Sequence, residues 1–155
     1  MATLKLSMDY DCDFKLIGLH SSLSDYRLAY FLNKELQLQL HREDKKKVLE
    51  CPISSGYYSY YTWQHPISDI KWHCIGNKLR VEREMNKAGL FESTYAMQYL
   101  IASLKKVDYF LKIDTDGYLD TAKLISQMNS IPSTTAYIIE PNTLSLKHKL
   151  LFQEC

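Results

Sequence analysis

The chain has 155 residues, 46% of them hydrophobic and 24% charged, which suits one domain (residues 1–155) able to bury roughly two-thirds of its unfolded surface. Lys and Arg total 19 against 18 acids, so the net charge of +1 excludes a strong electrostatic footprint for nucleic acid or an anionic membrane. No run reaches the ~18 apolar residues of a membrane span and MATLKLSMDY carries no signal-peptide core, so a cytoplasmic protein with no membrane partner is expected.

TLKLSM alternates, with Leu4, Leu6 and Met8 on one side, and reads as a strand. FKLIGLH, from Phe14 to His20, reads as a second strand. In SSLSDYRLAYFLNKELQL, Ser22 or Ser24 can cap a helix, and Asp25 suits the positive end of its dipole. Leu28, Phe31, Leu32 and Leu36 recur at helical spacing and predict its buried stripe. LQLHR returns to a strand, and HREDKKKV is a solvated connector.

The middle third opens on GYYSYYTWQHP, whose composition favours a strand. SDIKWHCI is the next strand, and Gly76-Asn77 fits a two-residue hairpin turn into KLRVERE, so an antiparallel meander is predicted. YAMQYLI leaves strand and helix open, while VDYFLKI is a buried strand. GYLDTAKLISQMN reads as a helix with Tyr118, Ala122, Ile125 and Met128 on one side, ended by Ile131-Pro132. TAYIIE is a last strand, and NTLSLKHKLLF fits a short helix or an edge strand. The expected fold is α+β: a mostly antiparallel sheet of about six to seven strands with two main helices packed on one face.

From Ile101 the chain reads IASLKKVDYFL. Ile101, Val107, Asp108 and Tyr109 stand in the register of the signature that names the IPExxxVDY protein family, which this segment resembles. Ala102 and Ser103 stand where that signature has Pro and Glu, so no role of that carboxylate carries over. DCDFKLIGLHSSLSDYRLAYFLNK is similar to the family's N-terminal block, and the resemblance covers most of the chain. It implies a small bacterial cytosolic protein and little about its chemistry. On the residues alone, Val107, Tyr109 and Leu111 share one side of a strand, and Asp108 is an outward residue or a strand-end acceptor.

Asp114-Thr115-Asp116-Gly117 follows an apolar strand, as the paired carboxylates of metal-dependent phosphatases and Asp-x-Asp glycosyltransferases do. Too little chain follows it for the first class, and no nucleotide-binding half precedes it for the second. The simpler reading has Asp116 capping the next helix and Gly117 making the turn. An EF-hand is excluded because its third acid and bidentate Glu are missing. His73 and Cys74, with His65 and Cys51, lack paired ligand spacing, and strand neighbours point to opposite faces. No metal and no cofactor are expected.

Along the aromatic strand Tyr57, Ser59, Tyr61 and Trp63 share one face and Tyr58, Tyr60 and Thr62 the other. Two helices cover one face only, so one set should be core, favoured as the Trp63 set, and the other open to a partner. The expected function is a non-enzymatic binding or adaptor protein, with a protein partner or a homodimer held at Tyr58 and Tyr60, alongside Lys71, His73 and Arg80. The alternatives are a metal-dependent Asp-x-Asp transferase at Asp114 and Asp116, and an RNA-binding domain that stacks bases on the tyrosines. Nucleic acid is not favoured.

The cysteines, Cys12, Cys51, Cys74 and Cys155, are far apart and read as reduced thiols. Alkylation in denaturant should label all four, with no zinc bound beforehand. A stoichiometric zinc signal or a disulfide-linked pair would overturn this reading.

Overall fold

A computed structural model describes residues 14–43, 57–87 and 90–153. The TLKLSM strand, the lysine connector, Cys12, Cys51 and Cys155 lie outside the described residues. The elements are β1 (Phe14–Ser21), α1 (Asp25–Leu36), β2 (His41–Arg42), β3 (Tyr60–Gln64), β4 (Lys71–Gly76), β5 (Lys78–Lys87) and β6 (Leu90–Tyr99). A 3-10 turn at Ala102–Leu104 then leads to β7 (Tyr109–Asp114), α2 (Thr121–Asn129), β8 (Thr134–Ile139) and α3 (Leu146–Gln153). The fold is α+β, with an antiparallel six-stranded sheet in the order β2-β3-β4-β7-β1-β8 and a separate β5-β6 ribbon.

Alternation sorts each strand of the main sheet onto two cores. On one face Ile17, Leu19, Leu111, Ile113, Tyr61 and Cys74 pack under α1 and α2. The helices supply Leu28, Ala29, Leu32 and Met128, with Phe31 and Leu36 packed beside them, so the stripe read along α1 is the one it buries. On the other face Leu16, Tyr60, Ile75, Phe110 and Ile139 pack under Ile101, Val107 and Phe152 of α3. The tail is therefore a helix, not an edge strand, and YAMQYLI is a strand.

This second layer corrects the reading of the tyrosines. Tyr58 and Tyr60, expected on an open face, are buried, and so is Tyr61, while Trp63 is half-buried. The expectation counted only two covering helices. α3 and the segment before β7 cover Tyr60, and Val81 at the base of the ribbon covers Tyr58.

Two local signals also resolve differently. The cap of α2 is Asp120, whose carboxylate accepts the Lys123 N–H at 3.1 Å, rather than Asp116. The helix thus starts beyond Tyr118, and Leu124, Ile125 and Met128 form its inner side, with Ala122 outside. Ser24 stands at the cap position of α1, but its side chain makes no capping bond.

Gly76-Asn77 is no hairpin turn, because β4 pairs with β3 and β7, and β5 pairs only with β6. Asn77 is fully buried and redirects the chain. Its amide donates to the carbonyls of Leu104 (2.9 Å) and Val107 (2.8 Å), and its Oδ1 accepts the Ile101 N–H (2.8 Å). Its own N–H donates to Asp108 O and its carbonyl accepts the Leu100 N–H. The side chain uses both its donors and its oxygen, and no hairpin partner is needed to satisfy the backbone.

Asn77→Ala would leave two buried main-chain groups unpaired, the Val107 carbonyl and the Ile101 N–H, each costing ~1–3 kcal/mol, while Leu104 O keeps the Val107 N–H. The expected loss is at least about 2 kcal/mol, or about 4–8 °C in melting temperature for a chain of this size. A thermal melt within 2 °C of wild type (roughly the ±0.5 kcal/mol of a neutral surface change) would refute the role given to Asn77.

Candidate functional site

Antiparallel register sets Thr62, His73 and Lys112 side by side across β3, β4 and β7. Asp114 lies two residues beyond Lys112, so it points to the same face and reaches His73 diagonally. The result is a hydrogen-bonded chain from core to surface. Tyr60 Oη and His73 Nδ1 are 2.7 Å apart, and His73 Nε2 and Asp114 Oδ2 are 2.8 Å apart. Lys112 Nζ stands 3.2 Å from Asp114 Oδ1 and donates to Oδ2 at 3.4 Å. It also sits 5.2 Å from the centroid of the Phe14 ring, a cation–π distance.

His73 is 0% exposed and Lys112 2% exposed, so both polar groups depend on these partners. Burial lowers the His73 pKa below the ordinary 6.5, outweighing the bond to Asp114, and the Lys112 charge adds to the lowering. The ring is therefore neutral at pH 7, Nε2–H donates to the carboxylate, and Nδ1 accepts the Tyr60 hydroxyl. For Asp114, burial pushes the pKa up, but the His73 hydrogen bond and the Lys112 charge overcome it, and the net shift is downward from 3.8. Cys74, the neighbour of His73, faces the opposite core, where burial pushes its thiol up to about 12. It is not a paired nucleophile.

The chain of bonds ends in a cleft of about 660 Å³ at the end of β7. Lys112, Asp114 and Asp116 line one side, and Ser68 and Asp69 of the β3–β4 turn line another. His65, weighed in the sequence as a zinc ligand, organises this turn. Its Nδ1 accepts the N–H groups of Ile67 and Ser68 at 3.1 Å, and its own N–H donates to Ile70 O. Asp69 follows in the left-handed region at φ 58°.

Both Asp114 oxygens are engaged, and an ammonium stands in front of them. A metal there would meet the Lys112 charge, which the Asp-x-Asp reading did not anticipate. Among the described residues no three His, Cys, Asp or Glu side chains group as metal ligands.

A smaller cleft of about 380 Å³ lies at the other end of β7. There Asp108 accepts the Ser21 N–H at 2.8 Å and pairs with Lys78, while the Tyr109 hydroxyl donates to Leu23 O at 2.7 Å. Burial raises the Tyr109 pKa, with Cys74 and Asp25 adding to it. Ile101 and Val107 are core residues. The motif positions clamp β1, β7 and the start of α1 together.

Of the residues expected to bind, the structure brings Tyr60 and His73 together, but inside the protein. Tyr58 belongs to the ribbon's base. Lys71 is half-buried opposite Asp114 in the β4–β7 register, and Arg80 lies on the ribbon over the Tyr95 ring at 3.8 Å. They form no common surface. Sequence reasoning missed Lys112, whose signal was a lone lysine among buried positions of YFLKI, a place lysine almost never takes unpaired. No protein-family model matches the chain, and no curated protein matches it.

The lowered His73 and Asp114 pKa values fix a pH dependence. Unfolded, His73 binds its proton near 6.5; folded, it binds it less readily. Stability should therefore be highest above pH 6.5 and fall as the pH drops below it, with Asp114 extending the loss below 3.8. Melts between pH 7.5 and 5 should show this decline (taken across the His titration range), and His73→Gln should flatten it. An unchanged slope in the variant would remove His73 as the cause.

Proposed function

We propose that the chain is a non-enzymatic binding protein and that its working surface is the rim of the larger cleft. One observation carries this reading. Ile67 and Tyr118, 89% and 92% exposed, stand on the two loops that flank the cleft. Exposed apolar surface rimmed by polar groups is where protein partners dock. Asp69 and Asp116, with no ion pair among the described residues, add negative charge to the cleft lining. The matching partner is a protein segment that offers an apolar side chain beside a basic one.

The buried network beneath supports binding rather than turnover. Its hydroxyl and imidazole are enclosed and mutually satisfied, and its carboxylate is neutralised by Lys112. Membership of the IPExxxVDY family is part of the same proposal, as is a cytoplasmic location. It rests on Ile101, Val107, Asp108 and Tyr109.

The test compares surface variants with the parent. A partner captured by the wild-type protein should be lost by the Ile67→Ser, Tyr118→Ala double variant. Its melting temperature should stay within about 2 °C, since exposed substitutions change stability by only ~0.5 kcal/mol. Retention of the partner by that variant would remove the rim as the working surface.

A further inference from the structure

From the end of β7 to the cap of α2 the chain reads IDTDGYLD. Both ends of this connection are tied down, Asp114 by His73 and Lys112, and Asp120 by the Lys123 N–H. Asp116 lies between them, exposed, in a bend outside any helix or strand. Its carboxylate has no hydrogen bond or ion pair among the described residues. The next residue is Gly117, whose N–H donates to Thr115 Oγ1 at 3.2 Å, the long end of the hydrogen-bond range.

The carboxyl carbon of an aspartate lies close enough to the next residue's nitrogen for the two to join in a cyclic imide. Two obstacles prevent this in a folded chain. A side chain on the following residue crowds the nitrogen, and partners hold the carboxyl away from it. Every other described aspartate meets at least one of them. Asp25, Asp108, Asp114 and Asp120 have bonded carboxylates and are followed by Tyr, Tyr, Thr and Thr. Asp69 is followed by Ile70, whose branch at Cβ shields the nitrogen. Asp116 meets neither, because its carboxylate is unbonded and Gly117 has no Cβ.

We propose that Asp116 is a site of spontaneous modification, at which the folded protein converts aspartate to isoaspartate. The Gly117 nitrogen forms a bond to Asp116 Cγ, the Cγ–OH bond breaks, and the hydroxyl leaves with the amide proton as water. The product is a succinimide. Water then adds to one of its two carbonyls. Opening at Cγ restores aspartate. Opening at the main-chain carbonyl breaks the original peptide bond and leaves the chain running through Cβ and Cγ. Water is the only co-reactant, and no redox step occurs. Isoaspartate lengthens the main chain by a methylene and shortens the carboxylate arm by the same group. Asp116 and Tyr118 line the larger cleft, so the conversion reshapes that cleft while Asp114 and Asp120 stay anchored. The chemistry does not depend on what binds there.

Gly117 also supplies the control. A Cβ built there meets nothing nearer than Thr115 Oγ1 at 3.8 Å, and the φ of Gly117 is not left-handed, so Gly117→Ala fits the fold. Wild-type protein aged in its folded state at physiological temperature and near-neutral pH is digested with trypsin. The Ile113–Lys123 peptide should appear in two forms of equal mass and different retention, and electron-transfer fragmentation should place isoaspartate at Asp116. Gly117→Ala should accumulate about tenfold less, the effect of ~1.4 kcal/mol in barrier height. Should that variant fold poorly, hydroxylamine added to the folded wild type decides, because it opens a succinimide and should cut the chain between Asp116 and Gly117. A single peptide form after ageing, while the free Ile113–Lys123 peptide converts, would overturn the proposal. So would equal accumulation in a folded Gly117→Ala, isoaspartate at Asp114 or Asp120 instead, or no cut by hydroxylamine.

Discussion

The hydrogen bonds of Asn77 decide the topology from which the rest follows. At the end of β4 a tight turn would have returned the chain alongside β4. Asn77 instead spends its side chain on Ile101, Leu104 and Val107, and its main chain on Leu100 and Asp108. The slot beside β4 is then taken by β7, and β5 leaves with β6 as a ribbon. His73 thereby meets Lys112 and Asp114, residues about 40 positions away. One buried amide thus sets the site, the cover over Tyr60 and the root of the ribbon.

The polar chain it assembles illustrates how a sheet face can hold charge. Lys112 would be costly to bury alone, and a buried ion pair is at best a weak source of stability. Here the carboxylate reaches the cleft, where solvent shares the burden, while the imidazole stays neutral and needs no counter-charge. The arrangement fixes the Asp114 carboxylate between His73 and Lys112 at little electrostatic cost. The Ile101–Tyr109 segment does similar work at the other end of β7. Its Asp108 and Tyr109 satisfy main-chain groups of Ser21 and Leu23, so its residues are explained by packing and hydrogen bonding.

Much of this was legible in the sequence. Alternation marked β1, β4, β7 and β8, and helical spacing marked the buried stripe of α1, because period alone tells which residues share a side. It also separated His73 from Cys74 correctly. What period cannot tell is which side will be covered. That depended on α3 and the segment before β7, which close over Tyr60, and on Val81 of β5, which closes over Tyr58; none of these short stretches gave warning of a second layer. The Asp116 cap and the Gly76-Asn77 turn were locally plausible, but both yielded to competing partners, Asp120 in one case and distant carbonyls in the other.

By itself the sequence determined an α+β chain, its strand faces and a near-neutral surface, because these follow from local period and composition. The tertiary structure alone decided that Tyr58, Tyr60 and Tyr61 are core, that His73, Lys112 and Asp114 form one network, and that β5 pairs with β6 rather than with β4. Those facts depend on contacts between residues far apart in the chain, and such contacts are chosen by the whole set of hydrogen bonds and buried surfaces at once.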